Sequence, residues 1–226
     1  KRIPRLEIEH YRTEINKINI PGMHFEIVGS YRRGANNSGD IDIIITSNKD
    51  DPKVFELFLD ALIDKKIIIE LLSRGNKKSL TVGKLRGHPA RRLDFMFSTQ
   101  EEYPFALLYF TGSKIFNTLM RGQALKMGYT MNEHGLYTFK KGVKGKKIAH
   151  KFKDPENVFD FLNIKWVEPC DRETAENFKV FTKRKNKTRK KKHQNLHKLV
   201  MDFIHNNKVL ENYTEDQLVF VVRGAN

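Results

Sequence analysis

The sequence predicts an α+β fold: a mixed β-sheet with helices on one face, followed by a smaller α+β unit. Three observations lead there. Short runs dense in Ile, Leu, Val and Phe recur at 24–28, 40–46, 66–72, 79–85 and 91–97, at strand length and with turn residues between most of them. Longer stretches of helical period, 4–18 and 53–64, stand before and between those runs. Beyond residue 100 the pattern shifts to two short helices and a hairpin.

Each element has its own reason. Leu6, Ile8, Tyr11, Ile15 and Ile18 fall on one face of a helix over 4–18, and Pro4 sits near its start, where a missing N–H is no loss. HFEIV at 24–28 is a strand, the glycine- and arginine-rich stretch 29–39 a turn, and DIDIIIT at 40–46 a second strand. Pro52 opens a helix over 53–64. KIIIELL, SLTVGKL and RRLDFMF supply three more strands, with turns at Gly75 and at Gly87–Pro89. Residues 101–110 and 113–127 read as helices broken at Thr111–Gly112, and Gly128 stops the second. YTMNEHGLYTF at 129–139 is a hairpin turning at Glu133–Gly135, and Pro155 opens a short helix over 155–163. The expected division is 1–100, 101–172 and a basic extension, 173–226. Within the extension, 183–192 holds eight basic residues in ten, a self-repelling block expected to be disordered. A helix at 194–207 and a strand at 218–222 are expected after it.

Charge narrows the function. Lys and Arg number 42 against 27 Asp and Glu, a formal net charge of +15, which favours a polyanionic partner, nucleic acid first. Without the eight charges of 183–192 the balance is still +7, so the excess is not a property of the tail alone. Cys170 is the only cysteine, which excludes an internal disulfide and a multi-cysteine zinc site and fits a reducing, intracellular location. No apolar run approaches the ~18–20 residues that span a bilayer, so no membrane association is expected. The chain begins at Lys1 rather than Met, as a fragment of a longer protein would.

The strongest local signal is Gly29-Ser30-Tyr31-Arg32-Arg33-Gly34, followed by Gly39-Asp40-Ile41-Asp42. Strand side chains alternate, so Asp40 and Asp42 are expected on one face, with Ile41 pointing into the core. Two such carboxylates repel unless a cation lies between them. Hard divalent ions take oxygen ligands, and two of them ~3.5–4 Å apart stabilise both the attacking and the leaving oxygen of phosphoryl transfer. Asp94, between Leu93 and Phe95, supplies a third carboxylate if its strand lies beside 40–46. A buried, unpaired Asp there would be costly, which argues for a metal or a cleft. Gly29, Gly34 and Gly39 are expected to take positive φ and to let the backbone approach a ligand. Ser30 can donate to a phosphate, and Arg33 can clamp one through two bonds. Asp-x-Asp alone is a weak signal and is more often a solvated edge or turn. Together with the phosphate-binding turn and Asp94 it describes a nucleotidyltransferase that positions a triphosphate over metal ions.

KRIPR, GSYRRG…SGDIDIIIT, RRLDF, YFTGSKIFN, MR, GYTMNE and EPCDR occur in that order between Lys1 and Arg172. In these segments the sequence resembles the family X DNA polymerases. The resemblance implies a nucleotidyltransferase palm over 1–100 and a nucleotide-selection, fingers- or thumb-like subdomain over 101–172. It implies a monomeric, DNA-directed DNA polymerase of gap-filling repair type, acting on primer–template or gapped DNA with dNTPs. Asp40 and Asp42 would bind both of two Mg²⁺ ions, with Mn²⁺ an alternative. Asp94 would bind only the catalytic one and help to accept the primer 3′-hydroxyl proton. Ser30, Arg33 and Gly39 would hold the β- and γ-phosphates, and Arg92 would contact the primer end. Tyr109 would check the minor groove at the primer terminus, while the backbone adjoining Phe110 and Gly112 would crowd a ribose 2′-hydroxyl. Asn117 would bond the incoming base and Arg121 the template strand. A cis peptide is implied between Gly112 and Ser113. From the residues alone, Asn117 and Arg121, at i and i+4 of one helix, read sooner as surface positions than as ligand contacts, and Tyr109 and Phe110 read equally as core aromatics.

The sequence departs from the family at Lys114, where a member carries an acidic residue stacking over the nucleotide. It departs also at Met96, in place of an arginine that restrains a metal-binding aspartate, and at His134, in place of a tyrosine near the closing hinge. These bear on fidelity and on open–closed control. The link at 73–78 is short, whereas template-independent members carry a longer loop there. Templated synthesis is therefore favoured; terminal, template-independent transfer or RNA nucleotidyl transfer is the alternative enzyme reading, and a non-catalytic DNA-binding scaffold the alternative outside enzymes. The family's lyase and helix-hairpin-helix regions would precede Lys1. The basic block of the extension reads as a nuclear-localisation signal, an added DNA clamp or a solubilising tail.

Overall fold

The order of buried and exposed positions along two neighbouring strands decides where everything else sits. The structure, a computed structural model, describes residues 2–181; the basic block at 183–192 and the helix and strand expected at 194–207 and 218–222 lie outside them. The elements come in the order β1 (Ile3–Pro4), α1 (Arg5–Asn16), β2 (Met23–Ile27), α2 (Gly29–Arg32), β3 (Asn37–Ser38), β4 (Ile41–Ser47), α3 (Lys53–Asp64), β5 (Ile68–Arg74), β6 (Lys78–Gly83) and β7 (Arg91–Phe97). Then follow α4 (Tyr103–Thr111), α5 (Lys114–Lys126), β8 (Tyr129–Asn132), β9 (Gly135–Lys140), β10 (Val143–Lys147) and α6 (Pro155–Phe161).

The main sheet has the strand order β2-β4-β7-β6-β5. Its one parallel pair is β4 with β7, and the remaining pairs are antiparallel, so the sheet is mixed as expected. Alternation sends Ile41, Ile43 and Ile45 of β4 and Leu93, Phe95 and Phe97 of β7 to one face. There they pack on Ile8, Tyr11 and Ile15 of α1 and on Phe55, Phe58, Leu59 and Leu62 of α3. The opposite face carries Ile44 and Met96, covered by Ala106 and Leu107 of α4, and further along the same two strands it carries Asp42 and Asp94. α4 is apolar on nearly every side because its other side, Phe105 and Leu108, belongs to the core of the second unit. It therefore joins the two parts of the described chain. That second core holds Phe116, Met120 and Ala124 of α5, Leu136 of β9, and Val158 and Phe159 of α6. It continues past residue 172: Phe178 stacks edge-on against Phe116 at 5.5 Å, and Ile164 bridges to Val180.

Three expectations need correction. The stretch 29–39 is not a plain turn, because it holds the single helical turn α2 and the short strand β3, which pairs with β1. Asp40 lies just before β4 rather than on it. The hairpin at 129–139 is joined by β10, which pairs with β9, although all five of its residues are exposed.

Candidate active site

Register brings the carboxylates together. In the parallel pair of β4 and β7, Asp42 stands directly beside Asp94, and Asp40 precedes β4 by one residue. Burial, then the charges of Asp40 and Asp94, push the Asp42 carboxyl up to about 6, against the pull of Arg92 and Lys78. Asp94 is also raised, by burial first, with Arg92 and Lys78 opposing and Asp40 adding. Its Oδ1 is buried and accepts no hydrogen bond, although Arg92 Nε lies 3.3 Å away. Arg92 Nη2 pairs with Asp40 Oδ2, so one guanidinium spans two of the three carboxylates. The three groups thus share one field. Among the described residues, however, no three His, Cys, Asp or Glu side chains are gathered in the spacing of ligands to a single ion.

The donor set nonetheless fits a divalent cation. It is oxygen-only and acidic, it includes a buried oxygen with an unused lone pair, and burial, with the charge of neighbouring carboxylates added, raises two of its carboxyls. Gly29 is part of the fit. It holds φ +64, and a Cβ at that position would fall 2.7 Å from Asp42 Oδ2, so only hydrogen leaves the carboxylate room.

The turn before β4 lies against the end of α4. Ser30 Oγ donates to Ser38 Oγ at 2.8 Å. Arg33 Nη1 donates to the Thr111 carbonyl at 2.7 Å, and its Nε to Glu173 Oε1 at 2.6 Å. Arg32 Nη1 donates to Thr111 Oγ1 at 3.2 Å. Gly29 and Gly34 take positive φ as expected, but Gly39 does not; it lies in the bend between β3 and β4. The peptide between Gly112 and Ser113 is cis.

The remaining predicted residues flank this turn. Tyr109 and Phe110 meet edge-to-face at 5.1 Å; Tyr109 is 38% exposed, while Phe110 packs on the sheet. Asn117 Nδ2 donates to the Tyr109 carbonyl at 2.7 Å, tying α5 back to α4 across Gly112. Arg121 is exposed one turn further along α5. Met96 is buried and lines a cavity of about 250 Å³ with Ile44, Phe110 and His134, and an uncharged side chain there cannot pair with Asp42. His134 Nδ1 lies 3.1 Å from Glu102 Oε1.

Two cations escape a reading of the sequence. Lys78 acts on both Asp42 and Asp94. Arg2 Nη2 donates to the Asn37 carbonyl at 2.8 Å, and its Nη1 stands 4.0 Å from where a Cβ of Gly39 would be. Arg2 lies within the KRIPR segment, whereas nothing in the sequence around Lys78 distinguishes it from other surface lysines.

The DNA polymerase beta palm matches residues 2–100, and the DNA polymerase beta thumb matches residues 106–173. The chain belongs to the family X DNA polymerases. Within this family the chain is 28% identical over 192 residues to DNA polymerase lambda of Arabidopsis thaliana, which covers 76% of this chain and 36% of that protein. It is 33% identical over 167 residues to DNA polymerase lambda of Rattus norvegicus, covering 68% of this chain and 29% of that one. A DNA nucleotidylexotransferase of Xenopus laevis is 25% identical over 193 residues, 68% of this chain and 37% of its own length. The chain therefore spans about a third of the length of these relatives. The family X palm is the five-stranded sheet with its carboxylates; the family X thumb begins inside α4 and ends at Glu173, the residue bonded to Arg33.

Proposed function

We propose that this chain is a DNA-directed DNA polymerase of gap-filling type, adding dNTPs to a primer 3′-end and releasing pyrophosphate. The observation that carries it is the register of Asp42 against Asp94 on adjacent parallel strands, with Asp40 at the mouth of the same pair. These three would hold two divalent ions, Mg²⁺ or Mn²⁺, which when bound neutralise the triphosphate and stabilise the attacking and leaving oxygens. Ser30, Arg33 and Gly39, with Arg2 near Gly39, would hold the β- and γ-phosphates against the start of β4. Arg92, already seated on Asp40 and Asp94, would meet the primer end. Asp94 would receive the proton of the 3′-hydroxyl as its oxygen bonds to the α-phosphorus and the bond to the pyrophosphate oxygen breaks. Tyr109, Phe110 and the Gly112 backbone would face the terminal pair and the sugar, Asn117 the incoming base, and Arg121 the template. Positioning and electrostatics would supply most of the acceleration.

Templated synthesis is supported over terminal transfer by the tight connection between β5 and β6. Gly75 N donates to the Lys78 carbonyl at 2.8 Å, closing a short turn where template-independent members carry a longer loop. Primer extension by the full chain on single-nucleotide-gapped DNA and on single-stranded DNA tests this. Extension confined to the gapped substrate and directed by the template base is expected. Equal, untemplated tailing of single strands would favour terminal transfer instead.

A further inference from the structure

We propose that Glu173 is a positioning residue for the triphosphate cradle: its carboxylate holds Arg33 in place and is displaced from it by the phosphates of an incoming nucleotide. The proposal rests on the reading of Arg33 as a phosphate-binding residue and adds to it the group that governs how tightly it binds.

Arg33 is largely buried, and two of its donors are engaged, Nη1 by the Thr111 carbonyl and Nε by Glu173 Oε1 at 2.6 Å. The two contacts differ in kind. A carbonyl at the end of α4 is fixed and neutral, whereas the carboxylate is charged and half-exposed, with 55% of the Glu173 side chain accessible. An exposed ion pair is worth little, and a phosphate offers the same fork more oxygens and more charge. The Thr111 bond can therefore persist while the carboxylate gives way to phosphate.

The carboxylate is delivered to Arg33 by an anchored backbone. Its predecessor, Arg172, is fully buried, and its guanidinium sits 4.8, 5.1 and 5.4 Å from the ring centroids of Trp166, Phe159 and Phe116. Arg172 Nε donates to the Val167 carbonyl at 2.9 Å, and its own carbonyl accepts from Ser113 Oγ at 2.6 Å. Glu173 thus leaves a backbone stapled to the Gly112–Ser113 turn, beside the guanidinium it meets. Gly112 completes the seat, because a Cβ there would stand 3.3 Å from Arg33 Nη1.

The test compares Glu173→Gln, Glu173→Asp, Arg33→Ala and the Glu173→Gln/Arg33→Ala pair in single-nucleotide gap filling, with inorganic tripolyphosphate as competitor. Glu173→Gln is expected to lower KM for all four dNTPs, and the inhibition constant of tripolyphosphate, by the same factor of about fivefold, with kcat unchanged. A probe without base or sugar should respond as the dNTPs do, since the effect acts through phosphate. Glu173→Asp should move part of the way back to the native KM, and Glu173→Gln should add nothing once Arg33 is removed. If Arg33→Ala weakens both ligands but Glu173→Gln lowers neither constant, the displaced-carboxylate role is wrong and the cradle stands. If Arg33→Ala leaves tripolyphosphate inhibition untouched, the cradle itself fails and the proposal falls with it.

Discussion

At Gly29 a hydrogen stands where any other residue would place a carbon 2.7 Å from Asp42 Oδ2. Gly29→Ala therefore meets both a positive φ and a clash, and is expected to destabilise the chain by roughly 1–3 kcal/mol. Thermal melts should show that loss together with a fall in gap-filling rate, because the carboxylate must move. Asp42 itself is held against its own charge. Its folded pKa, about 6, lies above the value near 4 of an unfolded Asp. Folding thus favours the protonated form. The stability this group contributes is complete below pH ~4 and is lost as pH rises through ~6. Asp42→Asn, which mimics the protonated acid, should raise stability at pH 8 by about 2 kcal/mol in divalent-free buffer and lose most of that advantage by pH 4. Melting curves at the two pH values check it; an equal gain at both would show that the strain is not electrostatic.

The helix α1 and the strand β7 are joined by a buried pair: Arg91 donates to Glu7 through Nε and Nη2, each at 2.8 Å. The Arg91 hydrogen bond holds the Glu7 carboxyl below its ordinary range, with burial opposing. A depressed acid contributes stability above its unfolded pKa and loses it as pH falls through the folded value. Arg91→Met takes both guanidinium bonds from the buried Glu7 and leaves it His88 Nδ1 at 3.8 Å, which should cost about 3 kcal/mol, and Glu7→Gln/Arg91→Met should recover much of it. Chemical unfolding of the three variants decides this. Because Arg92 follows Arg91 on β7, the same anchor aims Arg92 at the opposite face, toward Asp40 and Asp94. Elements with a strong pattern were legible before the structure. α3 and β7 match their expected bounds because Pro52 and the Phe–Leu spacing define one, and the alternation of Leu93, Phe95 and Phe97 the other. β10, with the sequence VKGKK, carries no apolar alternation; main-chain pairing to β9 makes it a strand, with Lys144 lying over the Tyr137 ring. α2 reads as a turn because one helical turn starting at glycine has no periodicity to detect. Within the site, the three aspartates and the phosphate turn stand in the sequence as motifs. Lys78 and Glu173 do not, since only the fold brings Glu173 to a partner 140 positions away.

For the whole molecule the basic charge and the site point the same way. A surplus of +15 on a chain whose carboxylates are partly drawn into one cleft leaves much of the surface attractive to a polyanion. Deleting 183–192 should weaken binding to gapped DNA and flatten its salt dependence by roughly 0.9 for each phosphate no longer neutralised. KM for dNTP should stay unchanged, because the residues assigned to the cradle, Ser30, Arg33, Gly39 and Glu173, all precede that segment; fluorescence-anisotropy titrations over a salt series read the slope. The central claim is that Asp40, Asp42 and Asp94 act together on a nucleotide joined to a primer. Single-turnover gap filling with Mg²⁺ by the native chain, Asp42→Ala and Asp94→Ala, with DNA affinity measured alongside, tests it most directly. Templated addition of one nucleotide by the native chain, and its fall to the no-enzyme background in both variants with DNA binding retained, is the predicted result. Addition at the native rate by either variant would contradict it.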